Sequence, residues 1–229
     1  HLDHIPAIDE DQKNVDFLPL LKRALEAGYQ SVMIDGSRLP LAQNIAVTQQ
    51  AAELAAKYGS AVEAELGAVA GHEGAGIGLS YEELFTSKKG FTKTEEAAQF
   101  ARESGCDWLS VAAGSFHGAI AAATKHLKKP EARLDIAHIA ELSAATGHMP
   151  LVLHGGSGIK QEYILRAMEN GIAKINVATE IRQPYEFALE EKPGNITYAQ
   201  QKVYDRTRWV LHDFLHTTNN HDTLKGDSK

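Results

Sequence analysis

The sequence predicts an α/β protein built around a parallel sheet. Short apolar runs, typical of buried strands, alternate along the chain with longer segments in which apolar residues recur at helical spacing. The strands are apolar along nearly their whole length, as expected where helices cover a parallel sheet. Several helical segments end at a glycine, the residue that most easily adopts the left-handed conformation beyond a helix end. These glycines are Gly28, Gly59, Gly105 and Gly147.

Five full strands, one strand stub and six helices follow from this pattern. The stub is residues 2–4, and the strands are residues 31–34, 60–66, 107–113, 151–153 and 173–177. The helices are residues 17–27, 41–58, 92–105, 135–146, 161–170 and 198–215. A glycine-rich stretch, residues 68–78, is expected to be a mobile loop. No linker divides the chain, so we expect one domain over residues 1–215 and a polar tail over residues 216–229.

Two architectures fit this number of parallel strands. One is an open, doubly wound sheet, and the other is a closed (β/α)8 barrel. The barrel would need two further βα units upstream. The chain starts without a methionine at His1, just before the first predicted strand. This start is the one expected of a fragment of a longer barrel.

The composition narrows the functional classes. A formal net charge of −7 argues against a nucleic-acid partner, because such binding depends on neutralising phosphates. No apolar run approaches the roughly 20 residues that span a bilayer, so no membrane partner is predicted. The single cysteine, Cys106, cannot form an internal disulfide, which suits the cytoplasm. It precedes an apolar run, and we therefore expect a packed, inert thiol rather than a reactive one.

Histidines follow three of the predicted strands at the point where each strand ends. The carboxyl ends of parallel strands share one face of a barrel, where such proteins place their chemistry. The histidines are His4, His117 and His154. Three imidazoles with an open fourth position are the ligand set of a catalytic Zn²⁺ ion. The sequence therefore predicts a metal site, against the alternative that each histidine is satisfied locally.

Two turns after the last predicted strands favour an anion site. Residues 155–158 read Gly-Gly-Ser-Gly, and residues 176–179 read Asn-Val-Ala-Thr. Loops after the final two strands of a barrel commonly bind phosphate through backbone N–H groups and hydroxyls. Ordinary tight turns are the competing explanation.

The same stretches resemble the motifs of a known family. In chain order they read Leu-Asp-His, Met-Ile-Asp-Gly-Ser, Val-Glu-Ala-Glu-Leu-Gly, Ser-Phe-His-Gly, Leu-His-Gly-Gly-Ser-Gly and Ile-Asn-Val-Ala-Thr. Together they are similar to the class II, metal-dependent ketose-bisphosphate aldolases, which include the fructose- and tagatose-bisphosphate aldolases. The resemblance extends to about Glu180 and is weak beyond it. It implies a (β/α)8 TIM barrel that lacks its first two βα units in this chain.

The resemblance also implies which residues bind the metal and the substrate. The zinc ligands would be His4, His117 and His154, with Asp35 and Glu65 at a second metal position. The ketose C1-phosphate would be held by Gly118, Gly155, Gly156, Ser157, Asn176, Val177, Ala178 and Thr179. The implied substrate is a phosphorylated sugar, and the implied assembly is a homodimer or homotetramer.

Two carboxylates would move protons in the implied reaction, the reversible cleavage of a ketose phosphate or bisphosphate to dihydroxyacetone phosphate and an aldehyde. Asp3 would handle the proton of the sugar C4 hydroxyl. Glu73, in the glycine-rich loop, would remove the proton of dihydroxyacetone phosphate. Because a metal supplies the electrophile, no Schiff-base lysine is needed. Lys160 and Lys174 are therefore interpreted as surface or phosphate-side charges.

Departures from the family pattern leave the substrate open. Residues 9–14 form an acidic insert, Arg38 replaces a histidine, and Ile120 replaces a tyrosine. The candidates for the distal phosphate are Arg206 and Arg208. Two other functions remain as alternatives. One is a catalytically inactive barrel that binds a sugar phosphate or a metal. The other is a different metal-dependent barrel enzyme, such as an epimerase or a hydrolase.

Overall fold

The computed structural model describes residues 1–67, 81–115 and 132–220, and these form a six-stranded parallel sheet with helical crossovers. The strands are hydrogen-bonded in chain order. They are β1 (Leu2–Pro6), β2 (Ser31–Asp35), β3 (Ala61–Leu66), β4 (Trp108–Val111), β5 (Leu151–Leu153) and β6 (Ile172–Ile175). All six predicted strands are present. The predicted residues Glu73, His117, Gly118 and Ile120, and the tail from 221 onward, lie outside the described residues.

Eight α-helices occur in the described ranges. They are α1 (Phe17–Glu26), α2 (Leu41–Ala56), α3 (Tyr81–Ser87), α4 (Thr94–Glu103), α5 (Ile136–Ala145), α6 (Gln161–Glu169), α7 (Thr179–Glu191) and α8 (Ile196–Trp209), and a π-helical turn (Val210–Phe214) extends α8. The sequence did not predict α3 and α7. Pro184 lies inside α7 and removes a backbone donor there, so the local pattern argued against a helix. Packing of α7 against α8 stabilises it instead.

The strands have two different faces, because successive side chains point to opposite sides of a sheet. In β3, Val62, Ala64 and Leu66 belong to the hydrophobic core that also includes residues of the helices, such as Leu21 and Phe100. The alternate positions of β3 are Glu63 and Glu65, which are 0% and 2% exposed. The inner face of the sheet is therefore buried but polar. A buried polar face requires partners for its charges and is where the candidate site lies.

Among the described helices, none combines the length and apolarity needed to cross a membrane.

Candidate metal and phosphate site

His4 and His154 come together, although His4 lies in the middle of β1, which runs two residues beyond the predicted strand end, and only His154 directly follows its strand, β5. His4 Nε2 lies 2.8 Å from His154 Nδ1, and the two rings meet edge to face. His154 directly follows β5 and is 1% exposed. His4 has a positive φ of 46°, and the β1–β2 register shifts around it. Non-glycine residues rarely adopt this conformation, and such strain is concentrated at functional sites.

The outer nitrogen of each ring faces a carboxylate. His154 Nε2 lies 2.8 Å from Glu63 Oε1, and His4 Nδ1 lies 3.4 Å from Asp35 Oδ2. Ionised carboxylates accept hydrogen bonds, so they favour the N–H on these outer nitrogens. When both rings are neutral, the lone pairs of His4 Nε2 and His154 Nδ1 then point toward each other. Outer carboxylates of this kind accompany histidines that bind metal ions, so the residues fit a divalent cation.

Further ligands surround the two imidazoles. Asp3, His4 and His154 each place a ligand atom within 4.8 Å of the others, and so do His4, Asp35 and Glu65. Glu65 also accepts a hydrogen bond from Ser110 over 3.3 Å. The structure thus brings together the predicted metal residues that it describes.

The pKa values of His4 and Asp35 reflect their contact. Burial by itself lowers the pKa of His4, but the hydrogen bond to Asp35 and the charges of Asp3, Asp35 and Glu63 outweigh it and raise the pKa. Burial by itself raises the pKa of Asp35, but hydrogen bonds from His4 and Ser37 outweigh it and lower the pKa. Because a metal binds the neutral imidazole, the raised pKa of His4 makes protonation a stronger competitor of metal binding.

Asp3 lies beside this pair and is open to solvent. Its side chain is 44% exposed, and Asn176 Nδ2 donates to both of its oxygens over 3.1 and 3.0 Å. The sequence placed Asn176 with the phosphate ligands. In the structure its side chain contacts Asp3, while its backbone carbonyl accepts a hydrogen bond from Gly156 over 3.0 Å.

The two turns predicted to bind phosphate pack against each other. Ser157 is 6% exposed, and its Oγ accepts a hydrogen bond from the backbone N–H of Glu180 in the first turn of α7. A Cβ atom on Gly156 would lie 2.7 Å from Ile175 Cγ2 and 3.0 Å from the Asn176 carbonyl oxygen, so this position requires glycine. Thr179 is the first residue of α7, and residues 155–157 and 176–179 therefore meet at its positively polarised N-terminus.

Glu63 is a buried site residue that the sequence analysis missed. Its two oxygens lie 2.8 Å from His154 Nε2 and 2.7 Å from Lys174 Nζ. The interpretation of Lys174 as a surface or phosphate-side charge was wrong, because its ammonium pairs with this buried carboxylate. A signal was available: Glu63 is two residues from Glu65 in a strand, so both carboxylates had to lie on one face.

The family match covers most of the chain. A sequence model described as "Fructose-bisphosphate aldolase class-II" matches residues 1–220. The chain belongs to the class-II fructose-bisphosphate aldolase family. The match extends about 40 residues beyond Glu180, where the sequence motifs had become weak, and it includes α7 and α8.

Individual relatives agree with this assignment. A fructose-bisphosphate aldolase of Streptococcus pneumoniae serotype 4 (strain ATCC BAA-334 / TIGR4) is 33% identical over 191 residues, which are 81% of this chain and 59% of that protein. The chain thus spans less than two thirds of the length of this relative. The structure of the YdjI aldolase from Escherichia coli K12 matches with a TM-score of 0.68 and 29% identity, covering 86% of this chain and 65% of that one.

A third comparison bears on the fold. A fructose-bisphosphate aldolase from Campylobacter jejuni matches with a TM-score of 0.64 and 18% identity, covering 86% of this chain and 67% of that one. These likenesses and the parallel sheet confirm the predicted fold class, an α/β fold of the TIM-barrel type. Six strands are present in the described part of this aldolase-family chain, in an open order from β1 to β6.

Two of the departures from the aldolase pattern contact each other. Residues Ile8 and Asn14 pair as an antiparallel bridge, which makes the acidic insert a small hairpin after β1. Arg38, which follows β2, donates from Nη1 to the carbonyl oxygen of Asp9 in this hairpin over 2.7 Å. Arg38 therefore anchors the insert.

One of the two candidate arginines for the distal phosphate lies near the turns. Arg206 of α8 forms an ion pair with Glu180, whose backbone contacts Ser157. Its guanidinium also lies over the ring of Trp209, 3.9 Å from the centroid. The ion pair ties α8 to the start of α7, whereas the contact with Trp209 lies within α8.

Proposed function

We propose that this chain is the catalytic part of a metal-dependent aldolase. It would reversibly cleave a ketose phosphate or bisphosphate to dihydroxyacetone phosphate and an aldehyde, with one Zn²⁺ ion per chain. The observation that carries the proposal is the approach of His4 Nε2 to His154 Nδ1 at 2.8 Å, with a carboxylate at the outer nitrogen of each ring. Membership of the aldolase family supports it. His117, which lies outside the described residues, is proposed as the third ligand.

The bound ion would supply Lewis-acid stabilisation of the charge that develops at the ketose oxygens. Asp3 is proposed as the base that takes the C4 hydroxyl proton while the C3–C4 bond breaks. Its exposed carboxylate lies beside the imidazole pair, and the amide of Asn176 holds both oxygens in place. Glu73 is proposed to exchange the proton of dihydroxyacetone phosphate.

The substrate phosphate is proposed to lie at the junction of the two turns. Backbone N–H groups at the start of α7 and the hydroxyls of Ser157 and Thr179 are suitable ligands for an anion at a helix N-terminus. Gly118 and Val177 complete the proposed set by resemblance to the family. We further propose a homodimer or homotetramer, by the same resemblance, and a cytoplasmic setting, on the basis of the buried, unpaired Cys106.

The test is an assay of sugar bisphosphate cleavage with and without bound metal. The purified protein would be incubated with fructose 1,6-bisphosphate and with tagatose 1,6-bisphosphate, and released dihydroxyacetone phosphate would be measured by coupled NADH oxidation. We expect activity on at least one of the two, loss of activity after prolonged dialysis against EDTA, and recovery on addition of Zn²⁺. Full activity after the metal has been removed would contradict the mechanism. Tight binding of the sugar phosphates without cleavage would favour an inactive binding protein.

A further inference from the structure

Behind His154, on the side away from His4, the buried carboxylate of Glu63 in β3 forms an ion pair with the partly buried Lys174 of β6. We propose that these two residues position the His154 imidazole for the metal: Glu63 sets the ring orientation and the tautomer, and Lys174 holds Glu63 in place. The inference rests on the proposed metal-dependent function and adds to it two residues that would not touch the metal or the substrate.

The burial of Glu63 is the first observation. Its side chain is completely buried in the middle of the inner face of the sheet. A buried carboxylate is costly unless it is paired and hydrogen-bonded, and an apolar residue would pack at this position without that cost. Both oxygens are paired here, one with His154 and the other with Lys174. The buried charge of Glu63 is therefore compensated by two specific partners, His154 and Lys174.

The tautomer of His154 follows from these contacts. An ionised carboxylate can only accept, so the 2.8 Å contact with Glu63 places the proton on Nε2. The lone pair of the neutral ring is then on Nδ1, the atom that faces His4. Asn176 Nδ2 also lies 3.2 Å from His154 Nε2, but it already donates to both oxygens of Asp3. The contact with Glu63 is shorter and decides the tautomer.

Lys174 stabilises the contact between Glu63 and His154, and it prevents a cation from binding to the carboxylates of Glu63 and Asp3. His1, Asp3 and Glu63 place ligand atoms within 4.8 Å of one another and could by themselves suggest another cation site. The Lys174 ammonium lies 2.7 Å from Glu63 and 3.8 Å from Asp3, so a positive charge is already present there. Lys174 therefore neutralises Glu63 and keeps a cation from binding its carboxylate in place of His154.

The experiment measures Zn²⁺ affinity of the metal-free protein by competition with a chromophoric chelator, together with the visible spectrum of the Co²⁺ form. Glu63→Met should lower Zn²⁺ affinity about 10- to 100-fold, the usual effect of losing an outer partner of a metal-binding histidine. Glu63→Gln keeps an oxygen that can accept from Nε2, and it should restore part of the affinity. Lys174→Met should also weaken binding. Lys93→Met is the matched control, because it breaks a lysine–glutamate pair of 2.6 Å at the surface. It should change neither the Zn²⁺ affinity nor the Co²⁺ spectrum.

The double variant Glu63→Met/Lys174→Met separates positioning from stability. It has neither charge of the pair, so no unpaired carboxylate is left buried and its melting temperature should recover relative to Lys174→Met. Its Zn²⁺ affinity should remain low and its Co²⁺ spectrum altered, because the Glu63 carboxylate that accepts from Nε2 is still missing. Recovery of wild-type affinity would show that the pair is merely structural and would overturn the inference. Wild-type affinity in the folded Glu63→Met protein would overturn it as well, while leaving the proposed function intact. A wild-type protein that binds no Zn²⁺ would overturn both.

Discussion

The side-chain amide of Asn176 donates hydrogen bonds to both carboxylate oxygens of Asp3, over 3.1 and 3.0 Å. Asp3 lies on β1 and Asn176 directly follows β6, and these are the first and last strands of the described sheet. Six strands in a flat sheet would separate its edges by about 24 Å, at about 4.8 Å per strand. The sheet is therefore strongly curved, as in a barrel. This curvature brings the proposed base, the imidazole pair and the phosphate turns to one place.

Asp3→Asn should abolish cleavage and leave the fold intact. The amide retains the size and hydrogen-bonding capacity of the side chain but cannot accept a proton at neutral pH. We expect kcat to fall on the order of 10²- to 10⁴-fold, the usual contribution of general base catalysis. Steady-state kinetics with Zn²⁺ present would measure it, with Asp11→Asn, which changes an exposed carboxylate, as control. A rise in KM at unchanged kcat would show that Asp3 is a binding group.

His154→Ala should remove both the bound metal and the activity. The substitution deletes Nδ1, which faces His4, and leaves Glu63 without its imidazole partner. Metal content after gel filtration, measured by mass spectrometry, should fall from about one ion per chain to a small fraction. His212→Ala replaces an exposed histidine of the π-helical turn and should retain full metal content. Equal metal content in the two variants would exclude His154 as a ligand.

Gly156→Ala should weaken substrate binding. The added Cβ would be 2.7 Å from Ile175 Cγ2 and 3.0 Å from a backbone oxygen, so the two turns must separate. We expect KM for the phosphorylated substrate to rise about tenfold or more, with Zn²⁺ affinity unchanged. Gly59→Ala is a useful control, because that glycine has φ +64° with open space around it. It should cost stability through backbone strain without altering KM. An unchanged KM in Gly156→Ala would argue against phosphate binding at these turns.

Asp135 should stabilise α5 in a pH-dependent way. Its carboxylate caps the helix by accepting from the His138 N–H over 3.0 Å, and it pairs with Lys88 at 2.8 Å. Burial by itself raises the pKa of Asp135, but the contacts with Lys88 and His138 outweigh it and lower the pKa below 3.8. A lowered pKa in the folded state gives stability that is present above pH 3.8 and lost as the pH falls through the folded-state value.

The measurement is urea unfolding of Asp135→Ala and Asp135→Asn. At pH 7 the alanine variant should lose about 1 kcal/mol of unfolding free energy, the typical value of a helix cap. Asparagine also caps helices well and should lose less, but without the dependence on pH near and below 3.8. A constant difference between wild type and Asp135→Asn down to pH 2 would contradict the assignment.

Cys106 should be inert in the folded protein. It is 6% exposed, and burial raises the pKa of its thiol to about 11. The thiolate is the reactive form, so iodoacetamide at pH 7.5 should modify the native protein much more slowly than the protein in urea. Mass spectrometry over time would give both rates. Equal rates would show that the thiol is accessible and that this part of the core opens readily.

Local patterns were sufficient for the strands, most of the helices and the motif residues. A strand that ends in His154 and a glycine-rich turn can be identified from eight consecutive residues, because strand preference and turn chemistry are local. Two helices could not be identified this way. Pro184 opposes helix formation within α7, and only the packing of α7 on α8 overrides that local preference.

Local sequence patterns were enough to place the histidines, carboxylates and glycine-rich turns at or near the strands that carry them. Which of these side chains contact each other depends on the assembled sheet. Glu63 and Lys174 are 111 positions apart, and Asp3 and Asn176 are 173 positions apart. Such contacts depend on the curvature of the sheet and the register of its strands, which no local pattern encodes. The partners of a buried charge are therefore visible only once the strands that carry them have been assembled.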